Sequence, residues 1–541
     1  MERAEVYFAD AARGMVESGD WLVPRYEGRP FFDKPILSYW AMAASMSVFG
    51  PTPAAARLVP LVASLLLVLA TAWLGTLVFD RRSAFAGGIV LATTVAFLSF
   101  ARVAMSDMLL ALFSTLAVAL GVRAYRSPGG RTTLTLLGVV LGLGFATKGP
   151  IALVLPGLAL ALLPLQQRPR LPPLATGALA LATAAFLVLG LGWFALVWRR
   201  LGPEPLVFFF FRENLERFAG ETFDVGRPFW FYPPAYLAEG LPWSVFLPIA
   251  LWRLLPARDA SERRSARFLA GWVALVLVPL SLSRGKLDYY LLPLYPALSL
   301  LVGHYFAAVP WRRLDVVWAR GALVLGALAL AFVLVRPPRL PEPWLPAPAL
   351  RALLVATLVL AGACLLLAAV RPKPAQVMAA LAAPVVVVFF LVVGWFLPAF
   401  AERQPNHAIA ADVARERRYQ PQALLAFCAD PSHARRDVLF LVRHAAVEQC
   451  ALWSLAGSRE PYLLLVDPAY DASFRVLPKY RTVASYQYLP ATTLTLSGLF
   501  AGSEPGELVL CANFRTKDPR AEVKRKREYR KAIQREKAGG R

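Results

Sequence analysis

Histidine and cysteine are scarce in this chain, with four of each. The cysteines stand at 364, 428, 450 and 511, and no CxxC or HExxH spacing occurs, so the sequence carries no strong metal motif. Cys364 lies alone in an apolar run, where packing is its ordinary role. The other three fall in one polar region and allow one disulfide in three pairings, among which the sequence does not choose. Charge is sparse as well: Asp, Glu, Lys and Arg make up 17% of the chain, with 58 basic against 35 acidic residues. The basic excess is spread over short loops and one tail and is not interleaved with aromatics, which argues against a nucleic-acid partner. No internal repeat is visible.

What is abundant is apolar sequence, 57% of all residues. A bilayer core about 30 Å thick takes roughly 20 helical residues per crossing. Without a β-barrel pattern, only helices satisfy their own backbone hydrogen bonds in lipid. Twelve runs predict spans over 56–79, 84–104, 107–124, 133–148, 150–165, 174–198, 235–255, 268–283, 288–308, 318–336, 349–370 and 376–400. Basic residues mark alternate gaps: Arg81 and Arg82; Arg126 and Arg131; Arg168 and Arg170; Arg253 to Arg267; Arg312 and Arg313; Arg371 and Lys373. By the positive-inside rule these six gaps face the cytoplasm. The outer side then collects residues 1–55, the Met105–Asp107 turn, Thr147–Pro150, the long loop 199–234, Ser283–Asp288, 337–348 and everything after about 401. Nearly all the conspicuous polar sequence falls there. Met1 does too, with no apolar segment or signal peptide ahead of it to carry residues 1–55 across. The expectation is a further membrane helix before this stretch, which would make 13 spans.

Four regions follow: a first extracytoplasmic loop, 1–55; a membrane domain, 56–400, with an active-site loop at 199–234; a small α/β domain, 401–515; and a basic tail, 516–541. In the first loop Val6, Ala9, Met15 and Val16 recur at helical spacing and Gly19 is a stop. PILSYWAMAASMSVFG reads as an apolar helix of about 14 residues, too short to span and suited to a re-entrant or interfacial position. The aromatic and charged residues of 199–234 suit an interfacial helix at headgroup depth. After Phe400, LLAFCA, DVLFLVR, PYLLLVD, LPKYRTVASYQYL and LVLCANF read as strands. The tail VKRKREYRKAIQREKAGGR is either a solvated appendage or a basic segment drawn to anionic lipid headgroups.

Ionisable residues at the outer ends of the spans are the candidates for chemistry. Glu2 and Glu5 stand near the membrane face, and Asp33 and Lys34 sit between aromatics. A carboxylate there can take a proton from an acceptor hydroxyl or amine, and an adjacent lysine can hold a phosphate as a point charge. A solvated helix start and a surface ion pair are the plainer reading. Arg102 and Asp107 flank a turn, where a structural ion pair is the alternative. Lys148 in ATKGP and Lys286 in SRGKLDYYLLP are cations beside glycine at outer helix ends. Lysine at the bilayer centre costs roughly 2.5–3.5 kcal/mol on insertion scales; at the rim the cost is smaller and a phosphate would offset it. Arg212, Arg217 and Arg227 add three cations on this side. Such a cluster beside aromatics suits a phosphate carried on a lipid tail, against ordinary snorkelling as the alternative.

GDWLVPRYEGRPFFDKPILSYW, FGPTPAAARLVP, ATKGPIALVLPG and SRGKLDYYLLPLYPAL occur here in the order in which bacterial members of the GT-C superfamily carry such motifs. The chain most resembles the protein O-mannosyltransferase and lipid A aminoarabinose transferase group, over about residues 4–300; the rest is similar mainly in layout. The resemblance implies a polytopic α-helical membrane protein of GT-C type with a small C-terminal extracytoplasmic α/β domain, in the bacterial inner membrane. It implies an inverting glycosyltransferase whose donor is a sugar on a polyprenyl phosphate such as undecaprenyl phosphate. A lipid, glycan or protein acceptor would approach from the periplasmic side. Residue by residue, Asp33 and Lys34 would hold the donor phosphate or a divalent metal, with Asp33 as the metal ligand and no His ligand evident. Asp107 matches a second acidic position, and Lys286 a lysine facing the lipid phosphate. Lys148, Arg227 and Arg102 join the phosphate side; Tyr39, Arg212 and Asp224 go to the acceptor and loop. Spacing back from Asp33 puts the expected catalytic Asp near Ala4, so the base passes to Glu5 or Glu2. Other classes fit less well. A flippase or transporter would place polar residues near mid-membrane and often shows repeats between halves. An inactive scaffold homologue would fit the departure at the N-terminal acid. An oligosaccharide polymerase or ligase would share the lipid-linked donor.

Overall fold

The computed structural model describes residues 3–26, 28–126, 130–166, 176–216, 227–336, 348–428, 461–466, 481–488 and 506–512. They divide into two units, one of Glu2–Pro337 with Pro346–Leu397, the other chiefly Pro398–Arg541. The DVLFLVR segment, the basic tail and Cys450 lie outside the described residues.

The first unit is helical. The amphipathic start is α1 (Arg3–Ser18), which buries Val6, Ala9 and Met15 and stops at Gly19, whose φ is +70°. A short hairpin, β1 (Arg25–Tyr26) and β2 (Arg29–Pro30), leads to α2 (Leu37–Phe49), the short apolar helix expected there. Then α3 (Pro53–Val78) opens on a Thr52 cap whose hydroxyl accepts from the Ala55 amide, with proline at its first position. Next come α4 (Arg81–Ala92), α5 (Val95–Phe100), α6 (Asp107–Arg126), α7 (Arg131–Lys148) and α8 (Ile151–Leu160). Among the described residues eight helices are long and apolar enough to cross a bilayer: Pro53–Val78, Asp107–Arg126, Gly177–Leu201, Ala260–Leu282, Asp288–Ala307, Arg313–Val335, Arg351–Val370 and Pro374–Arg403.

The other four expected spans take different forms. Residues 133–148 fall in α7, a continuous helix of 18 residues made less apolar by Thr and Gly. The run 150–165 is divided into α8 and the short turn Leu163–Gln166. The runs 84–104 and 235–255 are also broken, and the two breaks meet. The first parts at Thr93–Thr94, between α4 and α5. The second parts between the helices Tyr232–Glu239 and Ser244–Leu254, at a cis Leu241–Pro242 bond. Val95 N–H donates to the Leu241 carbonyl at 3.0 Å, and the Trp243 indole to the Thr93 hydroxyl at 3.0 Å. The Thr93 and Thr94 hydroxyls turn back to the Ile89 and Val90 carbonyls. Each interruption supplies partners for polar groups the other frees, which is what a break inside an apolar bundle requires. A hydropathy window sees only composition and cannot register such a pairing.

Helix α4 lies tight against the helix Tyr295–Ala307. A Cβ added to Gly303 would come within 2.3 Å of the Gly87 backbone nitrogen. Small residues of this kind let membrane helices approach to backbone contact.

The second unit is α/β. Its helix Asn406–Tyr419 accompanies a four-stranded sheet of β3 (Leu424–Cys428), β4 (Tyr462–Val466), β5 (Arg481–Tyr488) and β6 (Gly506–Ala512), in the order β3-β4-β6-β5. β3 and β4 are parallel; the other two pairings are antiparallel. Alternate residues Leu463 and Leu465, and Leu508 and Leu510, share a core with Ile409 and Val413 of the helix, as the two-residue period of a strand dictates.

Candidate active site

One end of the first unit gathers charged residues from segments far apart in sequence. Helices α6 and α7 run antiparallel as a hairpin, so the first residue of α6, Asp107, meets the last residue of α7, Lys148. An acid at a helix start and a base at a helix end each suit the helix dipole. The two side chains pair directly and are 7% and 13% exposed. The Lys148 ammonium also lies 5.7 and 5.5 Å from the ring centres of Tyr289 and Tyr290, at the start of the Asp288–Ala307 span. Asp288 accepts from Arg227 at 2.7 Å; Arg227 also donates to the Lys286 carbonyl at 3.2 Å and lies over the Phe231 ring. Lys286 is buried, its ammonium donating to the Ser283 carbonyl.

The first loop joins from the other flank. Lys34 donates to Glu213 at 3.3 Å and to the Asp33 carbonyl at 2.7 Å. Tyr39 is fully buried, and its hydroxyl has no hydrogen-bond partner among the described residues. Burial, with the Asp33 and Glu213 carboxylates adding to it, holds that hydroxyl well above the ordinary tyrosine value, so it stays protonated. Glu5 is fully buried. Arg57 grips both its oxygens at 2.9 and 2.8 Å, and the Ala104 amide donates to one of them at 2.9 Å. Five of the polar segments expected to share a side are thus linked by direct contacts: the first loop, the turn before α6, Thr147–Pro150, the 199–234 loop and Ser283–Asp288.

The expected site residues divide on this geometry. Asp107, Lys148, Lys34, Asp33, Tyr39, Arg227, Lys286 and Glu5 fall in the cluster. Arg102 is half-buried in the turn before α6, and Arg212 is exposed on the helical stretch that carries Glu213. Glu2, Asp224 and Arg217 lie outside the described residues. The cations expected to wait for a phosphate are engaged within the protein: Lys148 by Asp107, Lys34 by Glu213, Arg227 by Asp288 and Lys286 by a carbonyl. Among the described residues no three His, Cys, Asp or Glu side chains group to hold a metal ion. Sequence reasoning passed over Arg57, Glu213, Asp288, Tyr289 and Tyr290. The last three sit inside the SRGKLDYYLLP motif, where an acid and two rings beside a lysine were the available signal.

Residues 33–193 match the family model described as dolichyl-phosphate-mannose-protein mannosyltransferase. The fold is that of ArnT from Cupriavidus metallidurans, seen in a crystal structure bound to undecaprenyl phosphate. The TM-score is 0.72 at 20% identity, covering 94% of this chain and 93% of that one. The chain has a GT-C fold. Curated relatives agree with the motif-based resemblance to this superfamily. The undecaprenyl phosphate-alpha-4-amino-4-deoxy-L-arabinose arabinosyl transferase of Pseudomonas aeruginosa (strain LESB58) is 36% identical over 60% of this chain and 59% of its own length. Its namesake from Yersinia enterocolitica is 32% identical over 56% and 54%. The chain therefore spans little more than half the length of the curated relatives it matches. Of the charged cluster described above, the family model covers Asp33, Lys34, Tyr39, Arg57, Asp107 and Lys148; Glu5, Glu213, Arg227 and Lys286 lie beyond it.

Proposed function

We propose that this multi-pass membrane protein transfers a sugar from a polyprenyl-phosphate donor to an acceptor on the outer face of the bacterial inner membrane, with inversion. The observation that carries the reading is the Asp107–Lys148 pair beneath Tyr289 and Tyr290, set among further carboxylate–cation pairs at one end of the bundle. The relatives' names point to an undecaprenyl-phosphate-linked sugar as donor, and the arginine-marked alternate loops support the outer-face placement. Charged pairs at helix ends also fit this reading better than a transporter, which concentrates them near the midplane.

Lys148, Lys34 and Arg227 are each paired with a carboxylate, and Lys286 with a backbone carbonyl. An arriving lipid phosphate competes for Lys148, and as Lys148 turns to the phosphate the Asp107 carboxylate is released. Asp107 then takes the proton of the acceptor hydroxyl or amine. The acceptor forms its bond to the anomeric carbon from the face opposite the phosphate. The bond from that carbon to the phosphate oxygen breaks, its electron pair stays on the oxygen, and polyprenyl phosphate leaves. Lys34, Lys286 and Arg227 stabilise the charge that grows there. A single in-line displacement inverts the centre. Glu5 is the weaker candidate for the base, because both its oxygens are committed to Arg57.

The test is release of undecaprenyl phosphate from a labelled undecaprenyl-phosphate sugar by the protein in liposomes. Asp107→Asn and Lys286→Ala should each lower the rate by about 10²-fold or more at unchanged expression. Full activity in both would sink the assignment.

A further inference from the structure

A carboxyl that the displacement does not use lies behind the Arg227–Asp288 pair. Glu239 ends the short helix Tyr232–Glu239, just before the cis Leu241–Pro242 bond. It is largely buried, and its Oε2 has no hydrogen-bond partner among the described residues. The charges of Asp288 and Arg227 both act on it, and the buried Tyr295 hydroxyl faces it. The other titratable groups around it are phenols: Tyr232 and Tyr236 on its own helix, and Tyr290 beside Tyr232. Ser244–Phe246 packs on the same helix, with the Ser244 hydroxyl donating to the Leu237 carbonyl, and carries no titratable group. Two carboxylates therefore share one guanidinium. Asp288 holds it directly at 2.7 Å and is 40% exposed; Glu239 makes no ion pair among the described residues.

Arrival of a lipid phosphate changes this count. As Arg227 turns to the phosphate, Asp288 and Glu239 are left beside each other without their cation. Two like charges in a partly dry site are costly, and the cost is removed when one of them takes a proton. Asp288 keeps its contact with water and stays ionised. Glu239 is the buried one, with an acceptor position unfilled, and burying a charge without a partner costs more than burying the neutral acid. As an acid it also has a hydrogen to offer the Tyr295 oxygen. We infer that Glu239 takes up one proton from the surrounding water when the donor phosphate engages Arg227, and returns it when polyprenyl phosphate leaves. The proton bonds to a carboxyl oxygen of Glu239, and no other covalent bond changes. Glu239 is thus a positioning residue that acts through Arg227 and touches neither sugar nor phosphate. The inference rests on the transferase reading above and adds to it a proton that binds and leaves with the donor.

The test is donor affinity against pH, measured in liposomes without acceptor so that no turnover occurs. The probe is an undecaprenyl-phosphate sugar, a phosphodiester, which lacks the second ionisation of a phosphate monoester near about pH 6. In the wild type Kd should rise with pH, by up to about tenfold per unit where one proton is taken up. Glu239→Gln, fixed in the uncharged form, should bind as the wild type does at the acid end and lose most or all of the slope, so that it binds more tightly than the wild type at the alkaline end. A damaged fold would lose affinity, so a gain separates the proton role from a structural one. A second readout needs no variant: in weakly buffered liposomes a pH-indicator dye should record net proton uptake as the donor is added to the wild type. Equal slopes in the two proteins would place the proton on another carboxylate. A wild-type Kd that is flat with pH, or a dye that records no uptake, would mean that no proton is bound. Each of these overturns the inference and leaves the transferase reading standing, whereas a wild-type protein that binds no donor at any pH overturns both.

Discussion

Glu5 and Asp107 are both buried carboxylates at the same end of the bundle, yet their surroundings fit them to different work. Glu5 is held by three hydrogen bonds that tie α1 to α3 and to the turn before α6. Asp107 is held by one flexible lysine. Glu5→Gln should therefore cost about 1.5–3 kcal/mol of stability, the range for a hydrogen bond to a charged group, read as a lower melting temperature with activity falling alongside. Asp107→Asn should lose activity far out of proportion to any fall in its melting temperature, which the unpaired Lys148 would cause. The opposite pattern, a stable but inactive Glu5→Gln, would make Glu5 the base. The individual residues Asp33, Lys34, Asp107, Lys148 and Lys286 were legible in the sequence because each stands at the end of an apolar run. Their partners were not. Arg57 lies 52 residues from Glu5, and Glu213 lies 179 from Lys34, separations that only the completed bundle closes.

Elements were legible where one pattern ran unbroken, as in the helical spacing of α1 with its terminal Gly19 and the uninterrupted apolar run of α3. They were misread where tertiary contacts interrupt an apolar run, as at Thr93–Thr94 and Leu241–Trp243, each of which finds hydrogen bonds in the other. The ATKGP turn is a further case of local sequence serving a distant contact. Gly149 has φ +72°, and a Cβ there would lie 2.6 Å from the Phe209 ring. Gly149→Ala should destabilise by roughly 1–3 kcal/mol. Adding Phe209→Ala should recover part of that loss by removing the collision but not the dihedral strain. Thermal unfolding in detergent of the single and double variants checks this, and full recovery would show that the dihedral contributes nothing.

Over the whole first unit, the loop after α1 is tied to the helix Gly177–Leu201 by Asp20, which accepts from Arg200 at 2.9 Å and from the Leu22 and Val23 amides. Burial pushes the Asp20 carboxyl up, but the Arg200 guanidinium and the two amides outweigh it and hold it below its ordinary 3.8. The stabilisation is present in full above that ordinary value and is lost as pH falls through the lower folded one. Hydrogen exchange of residues 19–24 should stay flat from pH 7 to 5, after correction for intrinsic rates, and rise below about 4; Asp20→Asn should raise it at neutral pH and abolish the acid step. The tight contact between Gly87 and Gly303 has a consequence on the same scale. It fixes the axial register of the span that begins at Asp288, Tyr289 and Tyr290, a span 89% buried, whereas the peripheral helices Arg313–Val335 and Pro374–Arg403 are each 17% buried. A thinner or thicker bilayer cannot be met by sliding the inner helix. The peripheral helices take up the mismatch by tilting, and the depth at which the charged cluster works stays constant from one lipid composition to another.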